Sequence, residues 1–600
     1  MFGIRLFLLF ILFSCGKCSE IKVKTKVGEI IGEKTDVTFL NNNYKVDRYL
    51  GIPYAKAPVG NLRFKKPEPA ESFQEPYDAT KFGAVCPQFD YLSKGPNKFV
   101  QSEDCLFLNI YVPNQAPDQS TGHAVMFFIH GGGFSLGTGN AYQGEVLSSV
   151  GNVIVVAINY RLGILGFLDL NDERAPGNYG LWDQRQALKW VNQNIESFGG
   201  DKDRVTIFGE SAGSVSVTLQ MLYPPNKGLF KNAIAQSGTV SMPFIVNDIG
   251  ELVAKNYAEA AECSAENKDE LFKCFMEMSG EKPTEILIDA VTKGGFAEQF
   301  KYVTVPSLDG DFFKRNPADM HTAALTDTVE EVEFCRSINL INGLNEAEGA
   351  LFLMSFGTME QLEDLQISRE QMNNEILPSL FPLMFGFTRP MPEIVKSMLI
   401  SEYTDWSGPN DPLKLRQQVV RANGDIYFNT PGVAFSLLHS NSSESVSYMY
   451  KFSAVVDLPL LESPSWNTEA NHGDELGPVF GYTFDLEQLF NITEYEVPAW
   501  ELDLSSRMMT YWSNFAKSGD PNLPTASTQS AGPWPRYTVD DQKYMILDRE
   551  ESTGQFLFSR ETDFWRNILP SVLDAVEHTE EQKSKYTEDQ GTCDKDGGCE

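Results

Sequence analysis

The sequence predicts an α/β fold, a central and mostly parallel sheet flanked by helices. Three observations carry this reading. Apolar runs at residues 124–129, 153–159, 205–208 and 338–341 lack polar alternation, as strands covered on both faces require. A segment of helical period, residues 180–197, lies between the second and third runs. The 600-residue chain has no internal repeat and no low-complexity linker. It therefore reads as one long α/β unit, although its length would allow about three or four average domains.

In chain order, residues 1–18 read as a secretory leader. Arg5 supplies the positive start, an unbroken apolar run follows from Leu6, and the small residues Ser14 and Gly16 stand at cleavage-type spacing. The run is too short to span a bilayer, and no later stretch reaches about 18 apolar residues. The C-terminus lacks the hydrophobic tail of an anchor signal. A secreted, extracellular protein without a transmembrane anchor is expected. Residues 124–129 and 153–159 are the first two strands. In the helix that follows, Leu181, Leu188, Val191 and Ile195 fall near helical spacing, with Asp183, Arg185 and Lys189 between them. Residues 205–208 then complete a β-α-β unit, and residues 338–341 are a further strand. Residues 510–517 read as a late helix, stopped by Gly519-Asp520-Pro521. The main domain is expected over residues 19–576, and residues 577–600 as an acidic, polar, solvated tail.

The 49 Lys and Arg stand against 82 Asp and Glu, a net charge of −33. That balance argues against a nucleic-acid partner, which needs a basic surface, and against docking on anionic lipid. Hydrophobic residues make up 42%, enough for a large core. Two of the nine cysteines lie in the leader. Among the others, Cys86 with Cys105, Cys263 with Cys274 and Cys593 with Cys599 could each close a short loop in an oxidising compartment, and spacing alone fixes none of these pairings. Cys335 is then left over as a buried thiol. Asn441-Ser442-Ser443 and Asn491-Ile492-Thr493 are glycosylation acceptors. No Cys/His cluster has metal-ligand spacing, so no metal or cofactor is expected.

The sharpest chemical signal is Gly209-Glu210-Ser211-Ala212-Gly213, after a strand and before a helix. That context makes Ser211 a candidate nucleophile on a tight elbow, whose flanking positions tolerate little beyond hydrogen. A serine there sits at a helix N-terminus, where the dipole favours a developing anion. Upstream, His130-Gly131-Gly132-Gly133-Phe134 follows another strand, and a glycine loop of this kind can bring N–H donors close to a carbonyl. The nucleophile needs a base. Of the six histidines, His123 and His130 precede Ser211, His439 ends an apolar run and His578 lies in the acidic tail, while His321 carries no distinguishing context. His472, in the polar loop Asn471-His472-Gly473-Asp474-Glu475, could present its ring to a cleft. For the orienting acid, Glu348 and Glu346 both follow the strand at residues 338–341, and both also read as ordinary surface carboxylates.

These residues resemble the type-B carboxylesterase/cholinesterase family over nearly the whole mature chain, from Gly51-Ile52-Pro53-Tyr54-Ala55 to Trp534-Pro535. Residues 198–213 resemble its active-serine signature, and Glu103-Asp104-Cys105-Leu106-Phe107-Leu108-Asn109 its second signature. Asn345-Glu346-Ala347-Glu348-Gly349 is similar to its acid motif, and His472-Gly473-Asp474-Glu475-Leu476 to its histidine motif. The resemblance implies an α/β-hydrolase fold and a Ser211, Glu348, His472 triad. It implies N–H donors from Gly132, Gly133 and Ala212, disulfides Cys86–Cys105 and Cys263–Cys274, and a small-molecule ester substrate. Cholinesterases carry a Trp between the first two paired cysteines that stacks on choline; residues 87–104 here contain none. Juvenile-hormone esterases typically have Gln before the nucleophile, where this chain has Glu210. The resemblance therefore implies a generalist carboxylesterase. The competing classes are a non-catalytic adhesion or binding protein of the same fold, which an intact triad disfavours, and a slow enzyme that sequesters ligands as stable adducts.

Overall fold

A computed structural model describes residues 20–89, 99–243, 245, 250–263, 266–286, 289, 302–317, 329–386, 389–483, 495–524 and 532–591. The expected leader, residues 1–18, and His321, Asn491, Cys593 and Cys599 lie outside the described residues.

The chain enters through the antiparallel strands β1 (Glu20–Thr25), β2 (Gly28–Phe39) and β3 (Asn42–Pro53), with the short β4 (Tyr77–Asp78) on β2. Next come β5 (Phe107–Pro113), β6 (His123–Ile129) and β7 (Ile154–Ile158). A separate hairpin, β8 (Asp169–Asp172) and β9 (Ala175–Pro176), precedes β10 (Gly200–Glu210), β11 (Asn232–Gln236), β12 (Asn339–Asn345) and β13 (Ser447–Phe452). The edge hairpin is β14 (Lys543–Leu547) with β15 (Ser552–Gln555). The main sheet runs in the order β1-β2-β3-β5-β7-β6-β10-β11-β12-β13-β14-β15. It is parallel from β7 to β14 and antiparallel at both flanks.

The central strands are legible because both their faces are covered. Every residue of β6, β7 and β11 is buried. Along β6, Val125, Phe127 and Ile129 enter one core while Ala124, Met126 and Phe128 enter the other. The first core packs the helix Tyr179–Asn194 through Leu181, Leu188 and Val191; the second packs the helix Ala499–Ser518 through Leu504, Met508, Trp512 and Phe515. Each such side chain contributes roughly 1.5–3 kcal/mol of hydrophobic stabilisation.

Some elements differ from expectation. The antiparallel flank β1–β3 lies outside the apolar-run pattern, because its half-exposed strands carry Lys and Glu on their open faces. The late helix begins at Ala499, well before residue 510, because its buried side chains face in several directions and blur the helical period. The helix Leu569–Gly591 runs into the expected solvated tail, since Glu, Gln and Lys all favour helix. Its side chains from Glu577 to Glu580 are exposed. Cys86 is joined to Cys105 and Cys263 to Cys274, while Cys335 is a buried thiol pushed up to about 12 by desolvation. No described helix is long and apolar enough to cross a membrane.

Candidate active site

The elbow stands at the C-terminal end of β10. Ser211 has φ 56° and ψ −126°, outside the usual regions for an L-residue, at a cost of order 1–3 kcal/mol. Sterics explain its glycines. A Cβ on Gly213 would lie 2.0 Å from the Ile129 carbonyl oxygen, and one on Gly209 2.5 Å from the same atom. The turn is pinned from both sides: Ser211 N–H donates to the Gln236 carbonyl at 2.9 Å, and the Ser211 carbonyl accepts from Val215 N–H at 2.9 Å. The helix Ala212–Met221 begins one residue on. Ser211 is partly exposed between buried neighbours.

The glycine loop leaves the adjacent strand β6 beside the elbow. A Cβ on Gly131 would meet Glu210 Oε2 at 2.6 Å and Ser211 Cβ at 3.0 Å, so only glycine lets the two loops touch. Gly132 and Gly133 have φ of 105° and 60°. Among the described residues none accepts a hydrogen bond from the N–H groups of Gly132, Gly133 or Ala212. His130 opens this loop. It stacks on Tyr160 at 4.5 Å, and burial pushes it down to about 4.

The other two groups come from loops after β12 and β13, which are parallel neighbours. A bridge between Ala347 and Asn471 ties these loops together. It brings the Glu348 carboxylate to 2.6 Å from His472 Nδ1. Both side chains are buried, and Glu348 Oε1 also accepts from Asn345 N–H at 2.7 Å. Phe428 packs on the imidazole at 4.5 Å. Glu346, the rival acid, faces away: it pairs with Lys451 at 2.7 Å and accepts from Ser453 Oγ at 2.6 Å. His439 is held by Ser447 Oγ and the Ile338 carbonyl, and His123 lies at the start of β6.

Three acidic groups around His472 were not assigned a role from the sequence. Glu210 Oε1 lies 3.0 Å from His472 Nε2. Glu475 accepts from Asn345 Nδ2 at 2.7 Å and Gln236 Nε2 at 3.1 Å, and Asp474 accepts from Asn471 N–H at 2.7 Å. The signal was their position, one residue before the serine and two and three after the histidine. Burial pushes Glu210 up to about 8, opposed by His472 and reinforced by Glu475 and Glu348. It also raises Asp474 and Glu475. Burial alone would lower the imidazole, but the Glu210 and Glu348 carboxylates outweigh it and hold His472 at about 9.

A strained serine beside free N–H donors, with a carboxylate-bound imidazole near by, suits acyl transfer. The carboxylesterase family model matches residues 19–565. The chain belongs to the carboxylesterase family. It is 33% identical to the pyrethroid hydrolase Ces2a of Mus musculus, over 90% of each chain. It is 32% identical to carboxylesterase 3 of Homo sapiens, over 95% of this chain and 94% of that one. It is also 32% identical to the acetylcholinesterase of Bungarus fasciatus, over 95% and 90% respectively. The α/β-hydrolase fold of the family matches the sheet described above, and the chain is a carboxylic ester hydrolase.

Proposed function

We propose that this protein is a secreted serine carboxylesterase working through Ser211, His472 and Glu348. The observation that carries the reading is the buried 2.6 Å bond between Glu348 and His472, whose Nε2 lies 3.0 Å from Glu210, the residue before Ser211. Ser211 Oγ attacks the ester carbonyl while His472 Nε2 takes its proton. Glu348 keeps the other ring nitrogen protonated and stabilises the imidazolium. The oxyanion receives the N–H groups of Gly132, Gly133 and Ala212. His472 returns the proton to the departing alcohol, and water, activated the same way, releases the acid. No metal or cofactor enters these steps.

A generalist ester preference is supported by the absence of Trp between Cys86 and Cys105. Secretion is supported by the leader and the two disulfides. In this reading the esterase domain spans residues 19–576, and glycans attach at Asn441, an exposed position, and at Asn491. The test is a panel of p-nitrophenyl esters of graded acyl length beside Ser211→Ala, with fluorophosphonate labelling followed by mass spectrometry. Turnover and a label on Ser211, both lost in the variant, are expected. Absence of both in the wild type refutes the reading, and a burst without turnover replaces it with ligand sequestration.

A further inference from the structure

We propose that Gln88 is a positioning residue for the oxyanion loop, clamping the end of the glycine loop that presents Gly132 and Gly133; the inference rests on the serine-esterase reading above. A glycine-rich loop is costly to order, yet an oxyanion hole works only if its donors are fixed before the reaction. The loop closes on itself, with Ser135 and Leu136 N–H groups both donating to the Gly132 carbonyl at 3.0 Å. Its entry is held by His130, which stacks on Tyr160 and whose carbonyl accepts from Tyr160 Oη at 3.0 Å.

Its exit is Gly137, with φ 110°. Gly137 sits so close to the entry that a Cβ there would lie 2.4 Å from His130 Nδ1 and 2.5 Å from the Gly131 carbonyl oxygen. Both backbone polar groups of Gly137 go to one side chain. Its N–H donates to Gln88 Oε1 at 2.7 Å, and its carbonyl accepts from Gln88 Nε2 at 2.9 Å. A primary amide is the side chain that offers a donor and an acceptor side by side.

Gln88 is itself anchored. Nε2 also donates to the Cys86 carbonyl at 3.1 Å, Gln88 N–H donates to Gln101 Oε1 at 2.9 Å, and Cys86 is held by its disulfide to Cys105. The side chain is buried. Gln88 thus acts on the reaction through Gly137 and the loop, and position 88 links the first disulfide to the oxyanion site.

Two near-isosteric variants test this. Gln88→Met removes the clasp. Gln88→Glu keeps it only when protonated, since a neutral carboxyl offers O–H to the Gly137 carbonyl and C=O to its N–H, whereas the carboxylate faces that carbonyl with a second acceptor. Active sites are counted by fluorophosphonate labelling, and p-nitrophenyl butyrate is the substrate. Loss of a whole oxyanion donor costs about 10²–10³-fold in kcat, so a loosened loop is expected to cost about tenfold per labelled site, with KM within about threefold. Affinity for an aryl trifluoromethyl ketone, whose Ser211 adduct places an oxyanion in the hole, falls by a similar factor. For Gln88→Glu, kcat relative to wild type at the same pH rises as pH falls from about 8 to 5.5, while the ratio for Gln88→Met stays flat. If Gln88→Met yields no labelled sites, the Gln88→Glu profile decides. Wild-type kcat per labelled site in Gln88→Glu at pH 8, with the loss confined to melting temperature, overturns the proposal. Wild-type protein that neither turns over the ester nor takes label would sink the esterase reading instead.

Discussion

Replacing Glu348 by Gln keeps the shape of the acid and removes its charge. The pair it breaks is short, 2.6 Å, and both partners are buried. At an effective dielectric of about 20, an imidazolium and a carboxylate at this distance attract by about 6 kcal/mol. The amide retains a neutral hydrogen bond of about half the strength of a charge-assisted one, so about 3 kcal/mol of imidazolium stabilisation vanishes. That is about two decades in rate at about 1.36 kcal/mol per decade. A second effect adds to it: the introduced amide can donate to Nδ1, leaving the proton on Nε2 facing Glu210, so the lone pair needed by Ser211 is lost. Together a fall in kcat of about 10²–10⁴-fold is expected, with KM within about threefold and little change in melting temperature. Steady-state hydrolysis of p-nitrophenyl butyrate, normalised to fluorophosphonate-labelled sites, measures it. A kcat within tenfold of wild type would refute the assignment of Glu348 as the orienting acid.

Glu210→Gln removes the carboxylate nearest His472 Nε2, the strongest influence raising the imidazole toward about 9. The base must be neutral to act, and its pKa falls in the variant, so the acid limb of the kcat/KM profile should move to lower pH; an unmoved limb counts against this coupling. His472→Ala should lower kcat per folded molecule by at least about 10³-fold. His439→Ala should keep kcat within about twofold and cost about 2–4 kcal/mol in urea unfolding, through two lost hydrogen bonds and a cavity; a catalytic collapse there would reverse the roles of the two histidines. Replacing Cys263 and Cys274 by Ser opens a loop with sequence separation 11 and should cost about 3 kcal/mol. The midpoint in urea should drop with kcat unchanged, and an unchanged midpoint would mean the bridge does not constrain the unfolded chain.

Much of the candidate site is legible along the chain. The Ser211 elbow is recognisable because its demands are local: a strand must end, two neighbours must lack a Cβ, and a helix must begin. The collision of Gly209 and Gly213 with the Ile129 carbonyl shows why. The buried strands β6 and β7 announce themselves because both their faces are apolar. Strands β1–β3 do not, because a half-solvated antiparallel flank is rich in Lys and Glu. The acid was ambiguous between two residues of the same type two positions apart, and neighbouring chemistry treats them alike.

Glycines, serine and buried strands follow from sequence because steric and hydrophobic requirements act within a few residues. The choice among carboxylates and histidines does not, because it depends on groups 124 positions apart. The contact itself forms where β12 and β13 run parallel and set their outgoing loops side by side, turning Glu348 onto His472 while Glu346 meets Lys451. The same holds for the Gln88 clasp, 49 positions from Gly137, and for the carboxyls gathered around one imidazole. Their meaning arises only where burial removes the water that would otherwise make every Glu and Gln equivalent.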